Sequence, residues 1–185
     1  MSANHGRLRK FDPVEYQGQA HQDRFVLHMM NGRTGEYLEI GASHPRIISN
    51  TWALEQCGWS GVSLEIDPCN AEVWKQTRKN SLLIVDATIF NYQTKARVDY
   101  LQLDIDPPEN TFKALLSVMR TGTRFSVITY ETDAYRDSRF VAPSRSLLQG
   151  LGYALVRKDV LSDYGPFEDW YVDPTVVDVG RIDSF

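Results

Sequence analysis

Short apolar runs alternate with amphipathic stretches along most of the chain. Residues 37–40, 61–66, 81–86, 98–103, 125–130 and 153–159 are compact runs rich in branched and aromatic side chains, as expected of buried strands. Between them, 49–57, 70–79, 109–120 and 144–151 carry apolar residues at helical spacing. Phe112, Leu115, Leu116 and Met119 share one face of the third. Ser49 or Asn50 caps the first helix, Asp67-Pro68 opens the second, and Gly58 and Gly152 stop the first and last. A further strand is expected over 169–177. Upstream, residues 12–33 begin at a polar Asp12-Pro13 turn. They put Phe25, Val26, Met29 and Met30 on one helical face before Asn31-Gly32 and Thr34-Gly35 break it.

Strands alternating with helices predict a parallel sheet covered on both faces. Right-handed crossovers then narrow the topology to an α/β, Rossmann-like, doubly wound sandwich. Asp163, Tyr164, Gly165 and Pro166 leave no room for a helix before the last strand, so a hairpin is expected there and the seventh strand should run antiparallel. This is the arrangement of class I methyltransferases. The chain divides into a lead-in with a helix, 1–35, and one globular domain, 36–185.

At 185 residues the chain can bury one sizeable core. Its net charge of −4 suits poorly a protein that grips nucleic acid through phosphates, although Gly6–Lys10 is basic. No stretch approaches the roughly 18 apolar residues of a membrane span. The polar N-terminus is not a secretory signal. Cys57 and Cys69 have no metal-binding spacing and read as reduced thiols of a cytoplasmic protein.

In open α/β sheets, ligands bind beyond the carboxyl ends of the strands. Five successive strands end in acids here: Glu39 before Gly41, Glu65 before Ile66-Asp67, Asp86 before Ala87, Asp104 and Asp106, then Glu131 and Asp133. Each alone is an ordinary helix entry or turn residue. Together they repel one another and call for a compensating ligand. Glu65 lies 24 residues beyond Gly41, where an acid can accept hydrogen bonds from both hydroxyls of a ribose. A dinucleotide's pyrophosphate needs several glycines for close backbone approach, and this loop offers one, followed by Ala42-Ser43-His44-Pro45. S-adenosylmethionine (SAM) carries no phosphate, and its ammonium and sulfonium suit acids. Asp86 is then placed to accept from the adenine amino group.

The segment 39–45 (EIGASHP), followed by 49–68 (SNTWALEQCGWSGVSLEIDP), resembles the FkbM-type methyltransferases. Residues 98–106, 127–135 and 147–156 resemble their later motifs, so the likeness runs from about 16 to 177. The resemblance implies a class I fold, SAM as donor, and methyl transfer to a hydroxyl oxygen of a small molecule such as a sugar. It assigns Glu39, Gly41, Ala42 and Ser43 to the first SAM motif, and Glu65 with Ile66 to the ribose. Asp86 with Ala87 goes to the adenine, and Asp104 to the fourth strand. Two departures lie on the acceptor side: Pro107-Pro108-Glu109 after Asp106, and Thr132 where many relatives have His.

For a hydroxyl acceptor the enzyme must align the oxygen and remove its proton. The candidate catalytic residues are Asp104, Glu131 and His44. Asp104, Asp106, Glu131 and Asp133 are also hard oxygen ligands suited to Mg²⁺, which would acidify the hydroxyl. Asp106-Pro107-Pro108 suggests an alternative: amino-methyltransferases that act on nucleobases use Asp/Asn-Pro-Pro followed by an aromatic, but Glu109 holds that fourth position. A SAM- or nucleotide-binding protein without turnover is a third reading. Trp170 and Tyr171 belong to the core or line an acceptor cleft, with the core favoured. A homodimer that completes the cleft is compatible with the short loops.

Overall fold

The structure, a computed structural model, describes residues 15–185. The expected turn at Asp12-Pro13 and the basic segment 6–10 lie outside the described residues. Seven strands form one sheet in the order β3-β2-β1-β4-β5-β7-β6. They are β1 Glu36–Ile40, β2 Ser60–Glu65, β3 Ser81–Ile84, β4 Arg97–Leu103, β5 Arg124–Glu131, β6 Ala154–Ser162 and β7 Gly165–Val172. The first five run parallel, and β7 is antiparallel to both β5 and β6. The helices are α1 Gln22–Met29, α2 Trp52–Gln56, α3 Ala71–Thr77, α4 Pro108–Met119 and α5 Val141–Gly150.

Two cores lie on opposite faces of the sheet. On one, Phe25, Val26, Met29 and Met30 of α1 pack on Tyr37, Tyr100, Val127 and Trp170. Each large apolar side chain so buried contributes about 1.5–3 kcal/mol. Trp170 stacks on Phe25 with ring centroids 4.3 Å apart. On the other face, Ala114, Leu115 and Val118 of α4 and Leu148 of α5 cover Leu38, Ile40, Leu101 and Ile128. Tyr171 is buried in this second core, so neither Trp170 nor Tyr171 lines a cleft.

The structure corrects the sequence-based expectations in two places. The last strand starts at Gly165 rather than 169, because Ser162 pairs with Gly165 across a two-residue Asp163-Tyr164 turn. It stops at Val172 because the Asp173 carboxylate accepts from the Thr175 amide (3.1 Å) and hydroxyl (2.6 Å) and turns the chain. The first crossover helix starts at Trp52, since Ser49 Oγ accepts from the amides of Thr51 (3.4 Å) and Trp52 (3.2 Å) and keeps that segment a turn. Residues 85–96, between β3 and β4, form no helix, in keeping with the absence of a helical pattern there. The connection covers its share of the sheet with Ala87 and Tyr92, whose hydroxyl donates to Ala87 O (2.8 Å). A groove of about 540 Å³ remains between this loop and Leu38, Val62 and Leu83.

Candidate active site

All parallel strands end at one rim, and the start of β7 returns to it. Gly41 lets the rim close. Its φ is +87°, and a Cβ there would lie 1.6 Å from the carbonyl oxygen of Asp104. The glycine thus serves the approach of β1's loop to the end of β4. The Gly41 and Ala42 amides both donate to Leu64 O (3.0 and 3.2 Å), which fixes the loop over β2.

Glu65 stands at the end of β2. One carboxylate oxygen accepts from the Ser43 amide (2.8 Å), the other from the amides of Ile66 (2.8 Å) and Asp67 (3.0 Å). It thereby ties the loops after β1 and β2 together. Beside it opens a narrow cleft of about 80 Å³ lined by Gly41, Glu65, Ile66, Asp86, Ala87 and Asp106, among others. Ile66 is 66% exposed, an apolar side chain standing free at the cleft's edge. Asp86 reaches the same cleft. Hydrogen bonds from the Thr88 hydroxyl (2.7 Å) and amide (2.8 Å) hold its carboxyl below the usual range. Both bonds go to one oxygen, Oδ1.

Glu39, Ala42, Ser43 and Asp104 do not line this cleft. Glu39 is buried: its carboxylate accepts from Ser63 Oγ (2.5 Å) and Thr51 Oγ1 (2.9 Å). Burial pushes its pKa up, partly offset by nearby Arg78. Arg78 itself pairs with Glu55 at 2.7 Å inside the same buried network. Ala42 is buried, and Ser43 sits in a left-handed conformation with φ of 49°. His44 shapes the loop: its Nδ1 accepts from the amides of Arg46 (3.1 Å) and Ile47 (3.0 Å). That assigns the ring proton to Nε2.

The acids after β4 and β5 divide into two sets. Asp104 and Glu131 are half-buried neighbours with hydrogen-bonded carboxyls. Desolvation, and then the Asp104 charge, raises Glu131 strongly; desolvation also raises Asp104, so both favour the protonated form more than free carboxylates do. Asp106 and Asp133 instead share Arg136, whose guanidinium pairs with Asp106 and lies 2.9 Å from Asp133. Those two hydrogen bonds raise the arginine's pKa further. The expected Mg²⁺ site is therefore corrected. Among the described residues no group of three or more His, Cys, Asp or Glu is disposed to hold a metal ion. Desolvation favours protonation in one pair of acids, and a guanidinium offsets one of the two charges of the other.

Two groups packed near these acids escaped the sequence analysis. Arg136 is three residues beyond Asp133, a spacing that could have flagged it. Glu168, opposite Glu131 in the β5–β7 ladder, is fully buried and receives the Trp170 indole N–H. Desolvation pushes its pKa up to about 8. Among the described residues its Oε1 has no hydrogen-bond partner.

Comparison with solved structures finds this fold in methyltransferases. One is the 1,6-didemethyltoxoflavin-N1-methyltransferase of Burkholderia thailandensis, bound to 1,6-didemethyltoxoflavin and S-adenosylhomocysteine. It shows 13% identity and a TM-score of 0.55 over 85% of this chain and 79% of that one. The N-methyltransferase NodS of Bradyrhizobium japonicum WM9, in complex with S-adenosylhomocysteine, shows 11% identity and a TM-score of 0.54 over 83% and 85%. The magnesium protoporphyrin IX methyltransferase ChlM of Synechocystis PCC 6803, with bound SAM, shows 14% identity and a TM-score of 0.54 over 82% and 78%. No family model and no curated protein matches the chain. The fold is that of the class I methyltransferases; the FkbM resemblance rests on the residues quoted for it.

Proposed function

We propose that the chain is a SAM-dependent methyltransferase acting on a hydroxyl oxygen of a small molecule, within or near the FkbM-type enzymes. One observation carries this reading. The cleft at the ends of β1 to β4 gathers Gly41, Glu65, Ile66, Asp86 and Ala87, and its charged groups are all acids. That chemistry suits a cationic nucleoside and repels a pyrophosphate.

Glu65 would accept the ribose hydroxyls, Ile66 would flank the adenine, and the free oxygen of Asp86 would take the adenine amino group. Glu39 and His44 act at one remove by holding the loop after β1. Bound SAM supplies an electrophilic methyl group on a sulfonium. The acceptor side is formed by Asp104 and Glu131. The pair carries one proton and one negative charge, so it can take a second proton from a hydroxyl as the methyl group is transferred. Asp106, engaged by Arg136 and followed by Glu109, is poorly placed to serve an amine through the Asp-Pro-Pro alternative. Turnover of tritiated SAM over hydroxyl and amine acceptors tests the reading. Label transfer only to amines would overturn it.

A further inference from the structure

Resting on the methyl-transfer reading, we propose that the acceptor is a planar phenol whose ring stacks on the exposed Tyr164, backed by Tyr135, at the rim that carries the Asp104–Glu131 pair. Tyr135 lies in the loop after β5, and Tyr164 at the tip of the β6–β7 turn. Because β7 runs antiparallel to β5, that tip returns to the rim where β5 delivers Glu131. Gly165 lets the two segments meet, since a Cβ there would already lie 3.3 Å from Tyr135 Cβ. The two rings stack with centroids 6.0 Å apart and planes 25° from parallel.

Folding does not account for this pair. Tyr164 is 76% exposed and Tyr135 is 42% exposed, and neither belongs to a core cluster. Exposed aromatic rings on loops beside a site are the usual means of seating a flat ligand. Tyr135 also adjoins the acids: burial, then the Asp133 carboxylate, raises its phenol pKa.

The base points to the same class. A phenol ionises near 10, whereas water ionises near 15.7. A carboxylate pair is far better matched to the phenol. In the transfer, an oxygen lone pair forms the O–CH₃ bond, and the O–H proton passes to the Asp104–Glu131 pair. The donor's C–S electron pair leaves with sulfur. The sulfonium's positive charge and the pair's negative charge vanish together.

The test titrates 7-hydroxycoumarin into protein saturated with S-adenosylhomocysteine, followed by fluorescence anisotropy. Wild type should bind saturably. Tyr164→Ala should weaken binding about tenfold and Tyr164→Phe should leave it nearly unchanged. Calorimetric affinity for S-adenosylhomocysteine and the thermal midpoint should be the same in all three, because Tyr164 is exposed. Three results would each overturn the proposal: no saturable binding to loaded wild type, equal binding by Tyr164→Ala, or displacement by cyclohexanol as effective as by phenol. Failure of S-adenosylhomocysteine to bind would instead strike the donor reading. The same titration into unloaded protein would then decide the tyrosine surface, by whether Tyr164→Ala loses the probe.

Discussion

The carboxyls of Asp104 and Glu131 are neighbours at the ends of β4 and β5, and desolvation there raises the pKa of both. Such a pair is costly to bury with two charges and mild to bury with one. It is also the group best placed to receive a proton from an acceptor. Asp104→Asn should lower single-turnover methyl transfer by about 10²-fold or more, the usual share of a general base. Affinity for S-adenosylhomocysteine should change less than threefold. Transfer within a few-fold of wild type would remove the pair from the chemistry.

Glu65 joins two loops and faces the cleft. Glu65→Gln keeps the side chain's size but puts an NH2 donor where one oxygen now accepts a loop amide, and it weakens charge-assisted bonds worth about 1.5–3 kcal/mol. The expected loss in affinity for S-adenosylhomocysteine is about tenfold or more by calorimetry. Unaltered affinity would take the ribose off Glu65.

His44 separates loop architecture from catalysis. An Asn side chain can present an acceptor where Nδ1 now receives the Arg46 and Ile47 amides. His44→Asn should therefore keep most cofactor affinity and turnover, and His44→Ala should lose both together. Loss of turnover in His44→Asn with full cofactor affinity would make the imidazole a base.

Glu168 sets a pH dependence of stability. Its folded pKa is raised from 4.5 to about 8. The folded protein thus keeps a proton that the unfolded chain releases over that interval. Stability should fall as pH rises from about 4.5 through about 8, with up to about 1.4 kcal/mol per pH unit from one proton, and level off above. The raised Asp104–Glu131 pair acts in the same direction. Glu168→Gln should reduce the slope in urea-unfolding experiments at successive pH values. An unchanged slope would show that Glu168 ionises normally.

Much of this site is legible in sequence because strand ends are local signals. A strand that ends in Glu or Asp, or just before one, places that acid on the rim, and Glu65, Asp86, Asp104 and Glu131 all arrive there. The hairpin before β7 is equally local. What the acids do is not local. Asp106 meets Arg136 from the loop after the next strand, and Glu39 is claimed by Ser63 and Thr51. A divalent cation is the natural expectation for so many carboxylates, but desolvation raises one pair and a guanidinium offsets part of the charge of the other.

What the cleft binds decides the function most directly. Isothermal titration of SAM, S-adenosylhomocysteine and NAD⁺ into the wild-type protein would measure it. Micromolar binding of the first two, with no detectable heat from NAD⁺ and tenfold loss in Glu65→Gln, is the predicted result. Binding of NAD⁺ without SAM or S-adenosylhomocysteine would contradict it.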